Sequence, residues 1–222
     1  MWTSSPTRDK TYPASSQRCG DSVSPTRPPT ETDETRHPQV LTIAPLLARI
    51  ARGRTEQSMI VTGLRGVGKT VLLGQFRTKA LERDWVVVEL EVSKHDDTQF
   101  RRELSARLRS ALLELSPRAR WTERLSHAAG VLKSFTVGID ASGNWSAGLD
   151  VAAAEGFADH ANLAMDITDV FIALGEATKE QGRGVVLLFD EVQFLSRSQL
   201  GALIEALHKM VQRKLPITMV GA

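Results

Sequence analysis

The chain has 222 residues, of which 41% are hydrophobic and 24% charged, proportions typical of a globular protein of about one domain. Its single cysteine, Cys19, excludes an internal disulfide framework, and its formal net charge of +2 is too small to indicate nucleic-acid binding by itself. Even the longest apolar runs, such as Val185 to Phe189, are far shorter than the roughly 20 residues of a membrane-spanning helix. The first residues offer no apolar core for a secretory signal, so we expect a cytoplasmic protein.

Residues 1–38 differ in composition from the remainder of the chain. They hold six of the nine prolines and are rich in Ser, Thr, Arg and Asp. Such a stretch buries too little apolar surface to offset the entropy lost on ordering. Several acidic residues argue against a mitochondrial targeting peptide. We therefore expect a disordered tail over 1–38 and a folded domain over 39–222.

Helical and strand patterns alternate in the folded part. The first half predicts a helix over 41–52, a strand over Ser58–Thr62, a helix from Thr70 to about Glu82, a strand over Trp85–Val92 buried on both faces, and a helix over Phe100–Leu115. The second half predicts a hairpin of Phe135–Ile139 with Trp145–Val151, a helix from Ala161 to about Glu180, a strand over Val185–Phe189, a helix over Ser198–Arg213 and a strand over Ile217–Val220. This alternation predicts an α/β fold with a parallel sheet and helices on both faces.

A glycine-rich sequence joins the first predicted strand to its helix and matches G-x-x-x-x-G-K-[ST]. Glycines allow the backbone to wrap around an anion with its N–H groups pointing inward, and the following helix adds its positive N-terminal dipole. The Lys69 ammonium is expected to reach the β- and γ-phosphates, and the Thr70 hydroxyl to ligate Mg²⁺. Arg65 fits a solvated loop residue as well as a phosphate contact. The candidate nucleotide-binding residues are Gly63, Leu64, Arg65, Gly66, Val67, Gly68, Lys69, Thr70 and Val71.

Two acids, Asp190 and Glu191, follow the apolar run that ends at Phe189. A carboxylate at the end of a buried strand can hold Mg²⁺, and a second one beside it can orient or deprotonate an attacking water. Asp190 is therefore the candidate metal-side acid, together with Thr70. Glu191 is the candidate water-activating base, and Lys69 is the other candidate catalytic residue. Alone, two acids would equally fit the N-terminus of a helix; the upstream loop favours the catalytic interpretation.

These two motifs, together with Trp85–Val92 and Leu215–Ala222, resemble the Walker A and Walker B regions and the sheet of AAA+ ATPases over about residues 41–222. Among them the chain is most similar to origin-recognition-like bacterial ATPases, including actinobacterial proteins, with the STAND signalling ATPases as near relatives. The resemblance implies a P-loop NTPase three-layer sandwich with sheet order 5-1-4-3-2. It also implies a chain truncated after strand 4, which leaves the order 1-4-3-2, with the hairpin as an insertion.

The resemblance further implies ATP as the nucleotide, Mg²⁺ as the cofactor and hydrolysis to ADP and phosphate in the complete form. We expect weak or absent turnover in this chain, because the arginine finger would lie beyond its end. The alternative is a signalling switch that binds ATP or ADP and acts through a partner. A homo-oligomer or a protein partner fits either function, nucleic acid is suggested by analogy alone, and no membrane partner is expected. No Asn-Lys-x-Asp sequence is present, which disfavours GTP.

Seven arginines lie between residues 101 and 124, and an acidic stretch follows over 140–180. The arginines could form a basic face for nucleic acid or an acidic partner. Within residues 101–124, Trp121 is the only aromatic residue, so stacking of nucleic-acid bases on this stretch has little support. We therefore interpret the two stretches as solvated helix faces that pair with one another.

Overall fold

The computed structural model describes residues 45, 48–49, 58–64, 68–94, 96–115, 122–137 and 151–222. The predicted tail over 1–38 lies outside the described residues. So does most of the predicted helix over 41–52, of which residues 45, 48 and 49 are described and helical.

The described residues form strands connected by helices, and three described helices follow one another between the second and the third strand. The strands are β1 (Met59–Ile60), β2 (Val86–Glu91), β3 (Val185–Asp190) and β4 (Ile217–Gly221). The helices are α1 (Lys69–Leu81), α2 (Asp97–Leu115), α3 (Glu123–Val137), α4 (Leu163–Glu180) and α5 (Arg197–Arg213). Apart from the predicted hairpin, these elements match the predicted ones with shifted ends. The first strand is shorter than predicted, although the Val61 N–H still donates to the Gly221 carbonyl at 2.7 Å.

The four strands form a parallel sheet in the order β1-β4-β3-β2. This order is the one that the resemblance implies for strands 1 to 4. The register places Val185 of β3 beside Ile217 of β4 and Val86 of β2. Because all strands run in one direction, their carboxyl ends meet at one edge of the sheet.

The two faces of the sheet are covered unequally. We call the face covered by α2–α5 the thick face and the face covered by α1 the thin face. Side chains of β3 alternate between them, because successive residues of a strand point to opposite sides. Val185, Leu187 and Phe189 are buried in the large core of the thick face. Val186 and Leu188 belong to the smaller core, with Leu72, Leu73 and Phe76 of α1.

Strand β2 is not buried on both faces, so that part of the prediction is wrong. Val86, Val88 and Leu90 are buried, whereas Glu89 and Glu91 are exposed. The reason is position: among the described strands, β2 pairs only with β3 and forms an edge of the sheet. Glu89 forms a 3.3 Å ion pair with Arg77 of α1. An edge strand accepts such exposed acids, which also hinder pairing with other chains.

The first strand predicted for the hairpin is wrong over residues 135–137, because these residues are the end of helix α3. Leu125, Leu132 and Phe135 are fully or almost fully buried and recur at helical spacing. The Thr136 hydroxyl donates to the Lys133 carbonyl at 2.7 Å, a local bond that a helix accommodates. Val151, at the end of the predicted second strand, is not in a strand, and its carbonyl accepts from Lys133 Nζ at 2.8 Å. Residues 138–150 lie outside the described part.

Helix α5 buries one stripe of side chains at helical spacing. Leu203, Leu207 and Met210 are buried, but Ile204 is 52% exposed. Ala202 and Ala206 fill the inward positions instead. The buried stripe of α5 is therefore shifted away from Ile204, and small side chains bring the helix close to its neighbours.

Candidate nucleotide site at the carboxyl edge of the sheet

The glycine-rich loop connects β1 to the first residue of α1. Gly68 precedes the helix with φ 87° and ψ 24°, a left-handed conformation that glycine adopts at little cost. Gly63 and Leu64 are exposed, and Val71 on the first turn of α1 is 63% exposed. Of the predicted loop residues, Arg65, Gly66 and Val67 lie outside the described residues. The described part thus places a helix N-terminus and an accessible loop at the end of β1, as a phosphate site requires.

The Lys69 side chain folds back over the loop. Its Nζ lies 3.4 Å from the Gly63 carbonyl and 3.3 Å from the Leu64 carbonyl, as a donor to both. Lys69 is also the first residue of α1, where the helix dipole is positive. An ammonium group and a helix N-terminus therefore converge beside the loop, and both favour an anion there.

Asp190 and Thr70 meet across the sheet. Asp190 is the last residue of β3. Because side chains alternate along a strand, its side chain lies on the thin face with those of Val186 and Leu188, toward α1. Thr70 Oγ1 donates to Asp190 Oδ2 at 2.7 Å. The structure therefore brings together the two residues that the sequence predicts as metal ligands.

The donor set of this site suits Mg²⁺. A hydroxyl and a carboxylate are hard oxygen ligands, and Mg²⁺ commonly takes one or two protein oxygens while substrate phosphates and waters complete its shell. Among the described residues, no cluster of three or more His, Cys, Asp or Glu side chains is arranged as a metal cage. The Thr70–Asp190 pair is therefore suited to a cation shared with a phosphate.

Glu191 lies beside Asp190 in an unusual backbone conformation. Its φ of 60° and ψ of 40° are left-handed, which is uncommon for a residue with a side chain. Its N–H donates to Asp190 Oδ1 at 3.0 Å. Its carboxylate accepts a hydrogen bond from the Gln193 side-chain amide. The two acids are thus oriented differently: Asp190 faces Thr70, and Glu191 is held by the turn that follows it.

Sequence reasoning missed two features of this edge. Gln193 contacts the candidate base, and the end of β4 supports the same turn, because the Val192 N–H donates to the Ala222 carbonyl at 2.9 Å. A Cβ built on Gly221 would lie 2.8 Å from Val192 Cγ1. No sequence pattern indicates the Gln193 contact, whereas a glycine inside a strand is a recognised sign of close approach.

One pair joins the basic and acidic stretches as predicted, but it is buried, whereas the prediction was of solvated helix faces. Arg101 of α2 donates to Asp166 of α4 at 2.6 Å, and the Asp166 side chain is 1% exposed. Arg101 also lies over the Phe135 ring, 4.9 Å from its centroid. This arginine is therefore part of the packing between helices.

Comparison with known proteins agrees with this geometry. The family model described as the AAA ATPase domain matches residues 35–220. No curated protein and no solved structure shows a significant match to the chain. None of the described helices is long and apolar enough to cross a membrane. The family match includes both the glycine-rich loop and the acid pair and spans most of the sequence, and the chain therefore belongs to the AAA ATPase domain family.

Proposed function

We propose that the protein binds ATP with Mg²⁺ at the carboxyl edge of the sheet and hydrolyses it to ADP and phosphate slowly, with the weak turnover that the sequence leads us to expect. Family membership supports the coarser statement, a nucleotide-binding protein of the ATPase type. The observation that carries the finer proposal is the 2.7 Å contact between Thr70 and Asp190. It joins the helix behind the loop to the strand that bears the acid pair, which is the arrangement that metal-assisted phosphoryl transfer requires.

Each residue of the site has a separate role in this proposal. Lys69 and the loop N–H groups hold the phosphates, and their positive charge stabilises the negative charge on the phosphate oxygens as water attacks the γ-phosphorus and ADP leaves. Thr70 and Asp190 hold Mg²⁺, which supplies charge neutralisation at the phosphate oxygens. Leu64 and Val71 are exposed apolar side chains flanking the loop and offer contact surface to the rest of the nucleotide.

Glu191 is the proposed base for the attacking water. It is adjacent to the metal-side acid, and its carboxylate is the group that would orient the water in line with the γ-phosphoryl group. Asp190 is the poorer candidate for this role, because its Oδ2 accepts from Thr70 and its Oδ1 from the Glu191 N–H.

Binding is tested by thermal unfolding with Mg-ATP, Mg-ADP and Mg-GTP, for the wild type and for Lys69→Ala. A ligand at 100 times its dissociation constant stabilises the folded state by about 2.7 kcal/mol. For a chain of this size that raises Tm by roughly 5–11 °C. We expect this rise with adenine nucleotides in the wild type and its loss in Lys69→Ala. A cooperative transition with no shift would contradict nucleotide binding.

Hydrolysis is tested by phosphate release in single-turnover experiments with the protein in excess. Loss of a general base typically slows a reaction by about 10²–10⁴-fold. We expect Glu191→Gln to lower the rate in that range while the nucleotide-induced rise in Tm is retained. Binding with a rate that Glu191→Gln leaves unchanged would contradict the proposed hydrolysis and favour a switch that acts through nucleotide occupancy.

A further inference from the structure

The turn between β3 and α5, which carries Glu191, is fixed at both ends. At its start, Asp190 contacts Thr70, and the Val192 N–H donates to the Ala222 carbonyl at 2.9 Å. At its end, Ser196 caps α5 and forms a capping box with Gln199. The backbone around Glu191 therefore has little freedom.

The far end of this turn is also tied to helix α2. The Gln199 side chain is 1% exposed; its oxygen accepts from the Ser196 N–H at 3.0 Å, and its amide donates to Asp97 Oδ1 at 3.0 Å. Asp97 is the first residue of α2. A buried and bonded glutamine of this kind holds its neighbours in one arrangement, because a lost partner would leave a desolvated polar group.

Between these fixed ends, the Glu191 side chain is the group whose conformation can still change. Gln193 lies two residues later, in the short 3₁₀ turn Val192–Phe194, and its amide donates to Glu191 Oε2. The Phe194 N–H donates to the Glu191 carbonyl at 3.0 Å, so the turn that carries Gln193 is itself anchored on Glu191. The left-handed backbone of Glu191 and this turn together place the amide next to the carboxylate.

We propose that Gln193 is a positioning residue that holds the Glu191 carboxylate in the orientation used for hydrolysis. This inference rests on the function proposed above. The amide suits this role for two reasons. It is neutral and does not titrate, so it orients the carboxylate without competing for a proton. It bonds Oε2 and leaves Oε1 for a water.

The proposal predicts an effect on turnover rather than on binding. Removing the hydrogen bond from this neutral amide to the carboxylate of a positioned base should lower the single-turnover rate of Gln193→Ala about tenfold, while the dissociation constant for Mg-ATP stays within about twofold of the wild type. Gln193→Glu keeps the shape of the side chain but places a second carboxylate beside Glu191. It should lower the rate more than Gln193→Ala does.

The experiment measures both quantities for four proteins: the wild type, Gln193→Ala, Gln193→Glu and the control Gln212→Ala. Gln212 lies on α5 and contacts His208, so its removal tests the same chemical change away from the site. A double-mutant cycle adds the Glu191→Gln background. If Gln193 acts through Glu191, Gln193→Ala should have no further effect there. A structural role of Gln193 would lower the rate in both backgrounds.

The possible outcomes separate this inference from the proposed function. A wild type that turns over and a Gln193→Ala rate equal to it would overturn the Gln193 proposal and leave hydrolysis by Glu191 intact. An equal loss in both backgrounds would overturn it in the same way. A wild type that binds Mg-ATP but shows no Glu191-dependent turnover would overturn the proposed hydrolysis and the role of Gln193 with it.

Discussion

The thick and thin faces of the sheet use the same strands for different purposes. On the thick face, the four helices α2–α5 together with the strands enclose the larger of the two cores. On the thin face, α1 covers the centre of the sheet, and exposed acids of β2 lie at its margin. The described site residues belong to the thin face and the carboxyl edge. The difference indicates that the thick face supplies most of the stability and the thin face most of the chemistry.

Matched truncations of one phenylalanine on each face test this division and should have the largest effects. Phe171 of α4 and Phe76 of α1 are both 0% exposed. Phe171→Ala and Phe76→Ala should each lower the free energy of unfolding by about 3–5 kcal/mol, measured by denaturant titration. Only Phe76→Ala should also reduce the rise in Tm produced by Mg-ATP, because α1 carries Lys69 and Thr70. Equal nucleotide-induced shifts in the two variants would show that the faces are not separated in this way.

A smaller effect is expected where β4 contacts the turn after Glu191. Gly221→Ala would place a Cβ 2.8 Å from Val192 Cγ1, on a stiff β-branched side chain that has little room to move. We expect a loss of about 1–3 kcal/mol in unfolding free energy and slower phosphate release. Gly201→Ala on α5 is the matched control: a Cβ there has no atom within 4 Å, so it should stabilise the helix by about 0.5–1 kcal/mol. Normal phosphate release by Gly221→Ala would argue against coupling between β4 and the turn.

The smallest effect is expected from an ion pair on the thick face. His160 Nε2 lies 2.9 Å from Asp169 Oδ2, and this hydrogen bond is the main cause that raises the pKa of His160 above 6.5. Burial lowers the pKa, and the charges of Asp169, Asp166 and Asp159 raise it. Because the folded state binds the proton more tightly, this contribution to stability is fully present below pH 6.5 and is lost as the pH rises through the folded pKa.

The corresponding measurement is a series of urea titrations at increasing pH. The unfolding free energy of the wild type should fall more steeply above pH 6.5 than that of His160→Gln. His208→Gln is the control, because His208 contacts the neutral Gln212. Identical pH dependence in the wild type and His160→Gln would show that the pair contributes nothing to the stability of this face.

Much of the site could be predicted from the sequence, because motif and strand alternation agree. The loop pattern identifies Lys69 and Thr70. The alternation of side chains along β3 places the Asp190 side chain on the face that α1 covers. The order of the strands came from the resemblance, since residue patterns do not determine it. Gln193 could not be predicted, because its contact depends on a left-handed glutamate that no local pattern signals.

The two errors in the fold arise because the assembled structure decides what the local sequence pattern does not. The residues from Phe135 to Val137 combine an aromatic side chain with two β-branched ones and favour a strand locally. Burial of Phe135 against the neighbouring helices favours the helical arrangement instead. For β2, an apolar run is compatible with a central or an edge position, and only the assembled sheet decides between them.

The contact between Thr70 and Asp190 joins residues that are 120 positions apart in the chain. At a synthesis rate of 5–20 residues per second, the glycine-rich loop leaves the ribosome roughly 6–24 s before its acidic partner. During that interval the loop can meet an anion, but the two proposed metal ligands cannot yet assemble. Bringing two residues so far apart in the chain into contact is slow compared with forming a helix. The contact between Thr70 and Asp190 therefore forms late, and a nascent chain acquires it only after β3 has been made and has joined the sheet.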